Sequence, residues 1–268
     1  MEKTETPAPG RVIAEKENGI GWLIYDNPAR RNAFNGEMTE QAMAALDDFG
    51  SDPAVRVVIV RGGGDRNFVS GGDISSFEKQ MATEESKARM FKRREESSEK
   101  LRLFEKPTIA MIRGYCLGGG LGLALNCDIR ICTEDARFGI PAAKLSIGYL
   151  AKGIQTLMSL VGPSVAKEIL YTARQYTAAE ALAMGLVNRI VPAAELESYT
   201  REYAAVIAGN APLAIINAKT AVNELLKDPA DRNMKLVAER AAAATNSQDH
   251  IEGRNAFLQK RKPVFTGK

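Results

Sequence analysis

The chain has 268 residues, 45% of them hydrophobic and 26% charged, with a formal net charge of +3. This composition is typical of a globular protein and excludes a disordered or fibrous chain. The charge is too small to predict binding to nucleic acid or to a membrane surface. No apolar run reaches the roughly 18 residues of a membrane span, and the charged, proline-containing start has no apolar signal segment. We therefore expect a soluble, cytoplasmic protein.

The histidine and cysteine content argues against two classes of enzyme. The single histidine, His250, lies in a polar stretch where an exposed position at the start of a helix is expected. A Ser-His-Asp triad or a histidine-ligated zinc needs a histidine within an organised site. The cysteines, Cys116, Cys127 and Cys132, are odd in number and lack Cys-x-x-Cys spacing, so we expect buried free thiols and no metal site.

In chain order, the first predicted element is a hairpin over Val12–Tyr25, which turns at Gly19. A helix over Thr39–Phe49 follows, and the continuous apolar run Val55–Val60 predicts a buried strand. The charged stretch Ile74–Lys106 predicts two helices with a break near residue 82, and its charged block at 92–96 predicts a solvated face. Further strands are predicted over Thr108–Arg113, Ile129–Thr133, Phe138–Ile140 and Leu186–Val191, and helices over Gly153–Leu160, Ser164–Tyr171 and Ala178–Met184.

These elements repeat as strand–strand–helix units, and the chain after Pro192 is predicted to be helical throughout. Such a pattern indicates an α/β core followed by a helical C-terminal region. We predict a core over residues 11–205 and a helical region for oligomerisation over residues 206–268.

Two glycine-rich segments, Phe68–Ile74 and Gly114–Leu121, each follow a predicted strand. Glycine allows a ligand to approach backbone N–H groups closely. In the second segment the glycines also open a helix, whose first N–H groups have no partner within the helix. Neither segment has the spacing of a dinucleotide fingerprint or of a phosphate-binding P-loop. Each segment alone is equally explained as a tight turn.

Taken together and in order, five blocks of the sequence resemble the crotonase (enoyl-CoA hydratase/isomerase) superfamily, over roughly residues 11 to 265. The blocks are Asn27-Pro28 with Arg31–Asn35, Phe68–Ile74, Gly114–Gly120 continuing to Asp128, Phe138–Pro141, and Glu252–Pro263. The resemblance implies an α/β fold, a crotonase-like spiral of ββα repeats with a C-terminal helical trimerisation region. It also implies a homotrimer or a dimer of trimers.

The resemblance further implies that an acyl-CoA thioester is bound, with no cofactor beyond its coenzyme A moiety. Its carbonyl oxygen would lie between the backbone N–H groups of Gly72 and Gly119, and a thioester enolate would be stabilised there. Phe257 and Lys260 match positions that reach a neighbouring subunit's coenzyme A, and their spacing would place both on one helix face. The remaining implied binding residues are Arg31, Ala33, Ser70, Gly71, Asp73, Ile74 and Ile140.

The chain departs from the family pattern at two positions. Hydratases of this family carry two glutamates, and Gly122 and Ala142 stand at those positions here. Tyr149 coincides with a tyrosine of the methylmalonyl-CoA decarboxylase branch, but the match is partial, because that branch has a glutamate at the position of Gly122 and a histidine at that of Gly72. Tyr149 is also explained as a buried, hydrogen-bonded tyrosine. Lys144 and Lys152 flank it and could steer an anionic acyl group.

Three functions therefore remain open from the sequence. The first is a lyase of the enoyl-CoA hydratase type, in which other groups replace the missing acid and base. The second is a malonyl-type decarboxylase that uses Tyr149. The third is a protein that binds coenzyme A thioesters without catalysis.

Overall fold

The computed structural model describes residues 9–73 and 82–268 of the chain. The described strands are β1 (Arg11–Glu17), β2 (Ile20–Asp26), β3 (Val57–Gly62), β4 (Thr108–Ile112), β5 (Tyr115–Leu117), β6 (Ile129–Thr133), β7 (Arg137–Gly139), β8 (Tyr176–Thr177) and β9 (Arg189–Val191). The described α-helices are α1 (Gly36–Ser51), α2 (Glu84–Arg102), α3 (Gly119–Leu125), α4 (Ala151–Thr172), α5 (Ala178–Ala183), α6 (Leu196–Ala208), α7 (Pro212–Leu225), α8 (Met234–Thr245) and α9 (Gln248–Leu258).

The larger sheet has the order β1-β2-β3-β4-β6-β9. Its first two strands form an antiparallel hairpin, in which Glu17 is opposite Ile20. The remaining neighbours are parallel. The hairpin turns at Asn18 and Gly19, both of which have positive φ. The predicted hairpin over Val12–Tyr25 is thereby confirmed.

The smaller sheet has the order β5-β7-β8. Single parallel bridges extend it, because Val69 pairs with Cys116 and Phe34 pairs with Gly72. Consecutive strands such as β4 and β5, or β6 and β7, therefore divide between the two sheets, and a helix follows. Repetition of this unit gives the predicted spiral of ββα repeats, and the α/β fold class is confirmed.

Buried side chains lie on both faces of the larger sheet. In β3, Val58 and Val60 belong to the main core, which helices α1, α3, α4 and α5 and the smaller sheet enclose. Val57 and Ile59 face the opposite side, where they belong to a second core with Ala204 of α6. A strand that is buried on both faces has a continuous apolar sequence instead of an alternating one, which explains the Val55–Val60 run.

The predicted helices are found with shifted ends. Helix α1 begins earlier than predicted, at Gly36, because the side chain of Asn35 accepts a hydrogen bond from the Met38 N–H as an N-cap. Helix α4 contains both segments predicted over 153–171, joined at a kink where Gly162 has φ 76° before Pro163. Helix α2 begins after the capping residue Thr83; the helix predicted before it lies largely outside the described residues.

The C-terminal part of the chain is helical, as predicted. Helix α6 packs on β2, β3, β4 and β6, whereas α7 packs mainly on α8. The predicted domain boundary at 205/206 falls inside α6. In the part of the chain that the structure describes, no single helix is long and apolar enough to span a membrane; α6 and α7 meet that criterion only as a pair, with a bend of 101° between them.

Candidate active site at the two glycine segments

The described part of the first glycine segment, residues 68–73, runs beside the turn after β2. The Phe34 N–H donates to the Gly71 carbonyl at 3.0 Å, and the Asp73 N–H donates to the Phe34 carbonyl at 2.8 Å. In a parallel pairing of this kind, the N–H of the intervening residue points to the other side of the strand. The Gly72 N–H is therefore directed away from Phe34. Gly71 itself has φ +121°, a conformation that residues with a side chain rarely adopt.

The second glycine segment joins β5 to α3. Gly118 has φ +53° and turns the chain, its N–H donates to the Gly139 carbonyl at 2.8 Å, and α3 begins at Gly119. The Gly119 N–H belongs to the first turn, where backbone N–H groups lack a partner within the helix. A Cβ at Gly120 would overlap the Val69 carbonyl oxygen. The first turn of α3 thus contacts the first glycine segment backbone to backbone.

This packing brings Gly72 and Gly119 together. A Cβ built on Gly119 would lie 3.5 Å from the Gly72 nitrogen and 2.9 Å from Cζ of Phe34. One built on Gly71 would lie 3.8 Å from the Gly119 nitrogen. The two amides therefore border one small volume, beside which the Phe34 ring lies.

Polar side chains hold the loops around this volume. The buried Asn32 accepts from the Asn27 N–H at 3.0 Å and donates to the carbonyls of Gly63 and Asn67 at 3.0 and 2.9 Å. Arg30 and Asp73 form an ion pair at 2.6 Å across the two loops. This contact gives Asp73, an implied binding residue, a structural role in joining the loops.

Tyr149 lies on the other side of α3. A Cβ at Gly122 would lie 3.4 Å from its hydroxyl oxygen, and a Cβ at Gly153 would lie 2.9 Å from its ring. The ring is therefore held between two glycines, one on α3 and one on α4. Burial raises the pKa of Tyr149 to about 12, so the phenol is neutral and can donate a proton or hydrogen bond at neutral pH.

Tyr149 was alternatively explained from the sequence as a buried tyrosine whose hydroxyl is hydrogen-bonded within the protein. Within residues 9–73 and 82–268, no hydrogen bond to this hydroxyl is found. Three fully enclosed side-chain polar atoms in that part of the chain lack a partner, Trp22 Nε1, Thr133 Oγ1 and Asn217 Oδ1. The Tyr149 oxygen is not among them, and the residue as a whole is half-buried.

Gly122 and Ala142 stand at the two positions where the resemblance implies glutamates in hydratases. At Gly122 the space next to the helix is occupied by the Tyr149 hydroxyl. Ala142 lies in the short 3-10 helix Pro141–Leu145 and packs against the main core. Of the two flanking lysines, Lys144 is exposed, and Lys152 pairs with Glu99 of α2 at 2.9 Å.

The other predicted binding residues lie in different surroundings. Ser70 of the first glycine segment donates its N–H to the Arg31 carbonyl at 3.1 Å. The Ala33 carbonyl accepts a hydrogen bond from Asn27 Nδ2 at 2.8 Å. Cζ of Arg31 lies over the Tyr115 ring, 5.4 Å from the ring centroid. Ile140, in contrast, is fully enclosed in the core, so only its backbone could meet a ligand. Ile74 lies outside the described residues.

The predicted pair near the C-terminus does not share a helix face. Phe257 is in α9, but Lys260 follows the end of that helix and has φ 52°. The expectation that Phe257 and Lys260 share one helix face is therefore wrong, because the helix ends at Leu258 and Lys260 has a left-handed backbone conformation. Phe257 is 83% exposed and Leu258 72%, which leaves a large apolar surface at the end of α9.

One charged residue near the glycines was missed from the sequence. Arg94 was expected on a solvated face, but a Cβ at Gly72 would lie 3.3 Å from a terminal nitrogen of its guanidinium. Burial lowers the pKa of Arg94 below its ordinary value, and the group still remains charged at neutral pH. A sequence signal exists, since Arg94 follows the buried Met90 by four residues and precedes the buried Leu101 by seven. That spacing places it on the inner face of α2.

The remaining predictions concern single residues and metals. His250 is exposed in the first turn of α9, and all three cysteines are buried and free; both predictions are confirmed. Asp128 accepts hydrogen bonds from Thr108 and pairs with Lys219 at 2.7 Å, as a structural residue does. No group of three His, Cys, Asp or Glu side chains suited to a metal occurs in the described ranges.

Comparisons with known proteins agree over nearly the whole chain. The family model described as enoyl-CoA hydratase/isomerase matches residues 15–268. The crotonyl-CoA hydratase of Syntrophomonas wolfei is 38% identical over 96% of this chain and 98% of that protein. The short-chain-enoyl-CoA hydratase of Clostridium acetobutylicum is 35% identical over 94% and 95%. An enoyl-CoA hydratase/carnithine racemase structure from Magnetospirillum magneticum superposes with a TM-score of 0.92 at 32% identity, covering 97% of each chain.

Proposed function

The chain belongs to the enoyl-CoA hydratase/isomerase family, and we propose from this premise that it is an enzyme that binds an acyl-CoA thioester and stabilises its enolate. The thioester oxygen accepts hydrogen bonds from the amides of Gly72 and Gly119. The proximity of these two N–H groups supports this role. Donors aimed at a developing oxyanion contribute roughly 10²–10³ in kcat each.

The reaction that these residues support best is decarboxylation of a malonyl-type thioester. The bond between Cα and the carboxylate breaks, carbon dioxide leaves, and the electron pair passes into the enolate held at Gly72 and Gly119. The Tyr149 hydroxyl then gives its proton to Cα, and the phenolate regains a proton from water. No base is needed to begin this sequence, which suits a site with Gly122 and Ala142 at the glutamate positions.

The observation that carries this proposal is the position of the Tyr149 hydroxyl against Gly122. It puts a neutral proton donor where the family has a carboxylate. Hydration requires in addition a base that takes a proton from water, and a phenol with a pKa of about 12 is almost fully protonated at neutral pH and so a poor base.

Hydration of an enoyl thioester is the second candidate, because relatives at 38% and 35% identity carry hydratase names. Binding without catalysis is the third. Intact amides at both glycines favour either reaction over binding alone, since a protein that only binds gains nothing from donors aimed at an enolate oxygen.

Mass spectrometry of the purified protein with enoyl-, malonyl- and methylmalonyl-CoA separates these candidates. We expect loss of carbon dioxide from a malonyl-type thioester, and we expect Tyr149→Phe to lower its rate by at least about 10²-fold. Tyr171→Phe, an exposed tyrosine on α4, is the matched control and should retain the rate. Gain of water on an enoyl thioester would overturn the decarboxylase assignment, and binding without any reaction would favour the third candidate.

We also propose a homotrimer or a dimer of trimers in the cytoplasm, with no cofactor beyond the coenzyme A moiety of the substrate. The exposed apolar surface of Phe257 and Leu258 supports oligomerisation, because large exposed apolar patches mark interaction sites. Light scattering at micromolar concentration tests this state. A stable monomer would contradict it.

A further inference from the structure

Helix α2 carries one polar stripe on an otherwise buried face. Met90 and Leu101 are 7% and 2% exposed, and Arg94 and Ser97 share their side of the helix by the 3.6-residue period. A charged side chain on the buried face of a helix is costly to desolvate. Arg94 is half-buried, so its guanidinium lies on the inner face of α2 and still keeps accessible surface.

The guanidinium of Arg94 lies at the first glycine segment. One of its terminal nitrogens would be 3.3 Å from a Cβ on Gly72. The cation therefore lies next to the residue that carries one of the two proposed oxyanion amides. Arginine presents five N–H donors in a planar fork. It can therefore keep a contact within the protein and still bind a carboxylate.

Helix α2 is also tied to the helix that follows Tyr149. Lys152 of α4 pairs with Glu99 at 2.9 Å and with Glu95 at 3.9 Å. Arg94 lies next to Gly72, and Gly72 lies next to Gly119. The Tyr149 hydroxyl lies next to Gly122, one turn further along α3. Together with the contact between α2 and α4, these neighbours surround the two amides. An acyl group held at the two amides would lie between Arg94 and Tyr149.

We propose that Arg94 binds a carboxylate of the acyl group and thereby selects thioesters with an anionic acyl part. Because the guanidinium lies beside Gly72 itself, the carboxylate must be close to the thioester carbonyl. The substrate class is therefore malonyl-type, with the carboxylate one carbon away. This inference rests on the proposed binding of an acyl-CoA at Gly72, and it adds the residue that would select the malonyl-type acyl group.

Binding of methylmalonyl-CoA and propionyl-CoA tests the inference, because the two ligands differ by the carboxylate alone. Titration calorimetry uses the full chain with Tyr149→Phe, so that the ligand is preserved, and mass spectrometry checks that it stays intact. We expect Arg94→Gln to weaken methylmalonyl-CoA binding by about 10- to 100-fold, the range of a hydrogen bond to a charged group. Propionyl-CoA binding should change by less than about 3-fold, within the effect of a neutral contact.

Two further variants keep the test decisive. Arg93→Gln is the matched control, since Arg93 is the neighbouring arginine on α2 and pairs with Glu40; it should change neither affinity. Arg94→Lys keeps the charge and should restore part of the methylmalonyl-CoA affinity, even if Arg94→Gln folds poorly. Equal weakening of both ligands, or no change, would overturn the inference. Charge discrimination without any decarboxylation would leave it standing and reject only the proposed reaction.

Discussion

The Tyr149 hydroxyl lies against Gly122, at 3.4 Å from the position that a Cβ there would take. The glycine and the tyrosine are complementary, because Gly122 leaves room beside α3 for the phenol, which would be in van der Waals contact with a Cβ there. A side chain longer than that of alanine at position 122 would clash with Tyr149 in its present position.

The first prediction follows from this exclusion. Gly122→Glu would place a carboxylate at a family position, but the side chain has to displace Tyr149. We expect a loss of stability of about 1–3 kcal/mol from overpacking and at least a tenfold loss of decarboxylation if the phenol is the acid. Combining Gly122→Glu with Tyr149→Ala should recover the stability, as measured by urea unfolding. Full activity in the single variant would contradict the role of Tyr149.

The second prediction separates two glycines of the same helix. A Cβ at Gly120 overlaps the Val69 carbonyl oxygen, which also accepts from the Leu117 N–H and cannot move away freely. We expect Gly120→Ala to lower stability by roughly 3 kcal/mol or more, about 10 °C in melting temperature. Gly122→Ala meets only an ordinary contact and should be neutral or stabilising, by up to about 1 kcal/mol. Similar melting temperatures for the two variants would argue against the backbone contact.

The third prediction concerns the space between the two amides. Gly119→Ala adds a methyl group 3.5 Å from the Gly72 nitrogen and 2.9 Å from Cζ at the end of the Phe34 ring. A ring can move aside, so we expect a small change in melting temperature. A thioester oxygen would be excluded, and kcat should fall by roughly 10²–10³-fold. Gly50→Ala is the control and should leave kcat unchanged, because Gly50 lies in α1 and a Cβ there makes only an ordinary contact with Phe104.

The fourth prediction concerns alkaline pH. Burial raises the pKa of Tyr149 to about 12, so the phenol keeps the proton that it donates well above the pH at which an exposed tyrosine loses it, near 10. We expect no loss of decarboxylation from Tyr149 ionisation between pH 7 and 10. A fall in kcat with an apparent pKa near 10 would show that the acid is exposed or is another group.

The same raised pKa has a consequence for stability. The folded chain holds the Tyr149 proton more tightly than the unfolded chain does, so folding is favoured below about pH 10 and loses this contribution as the pH rises toward 12. The buried thiols of Cys127 and Cys132, whose pKa values burial also raises to about 12, act in the same direction. Unfolding free energies measured above pH 9 should decline, and Tyr149→Phe should lessen that decline.

The sequence by itself determined the fold class and the order of most elements, because local periodicity carries that information. Alternation indicated the β1–β2 hairpin, and the burial of β3 on both faces produced its apolar run. The helices predicted over Gly153–Leu160 and Ser164–Tyr171 correspond to the two parts of α4. The three-residue strand β5 was missed, since so short a segment shows no period. The glycine segments were found through their composition and their order along the chain.

Only the tertiary structure decided how these segments meet. Periodicity states which side chains share a face, but it does not state which elements oppose one another, and the approach of Gly72 to Gly119 is a contact between residues 47 positions apart in the numbering. The same holds for Tyr149 against Gly122 and for Arg94 beside Gly72. A charged block is usually solvated, and Arg94 departs from that rule because the packing of α2 turns one residue of the block inward.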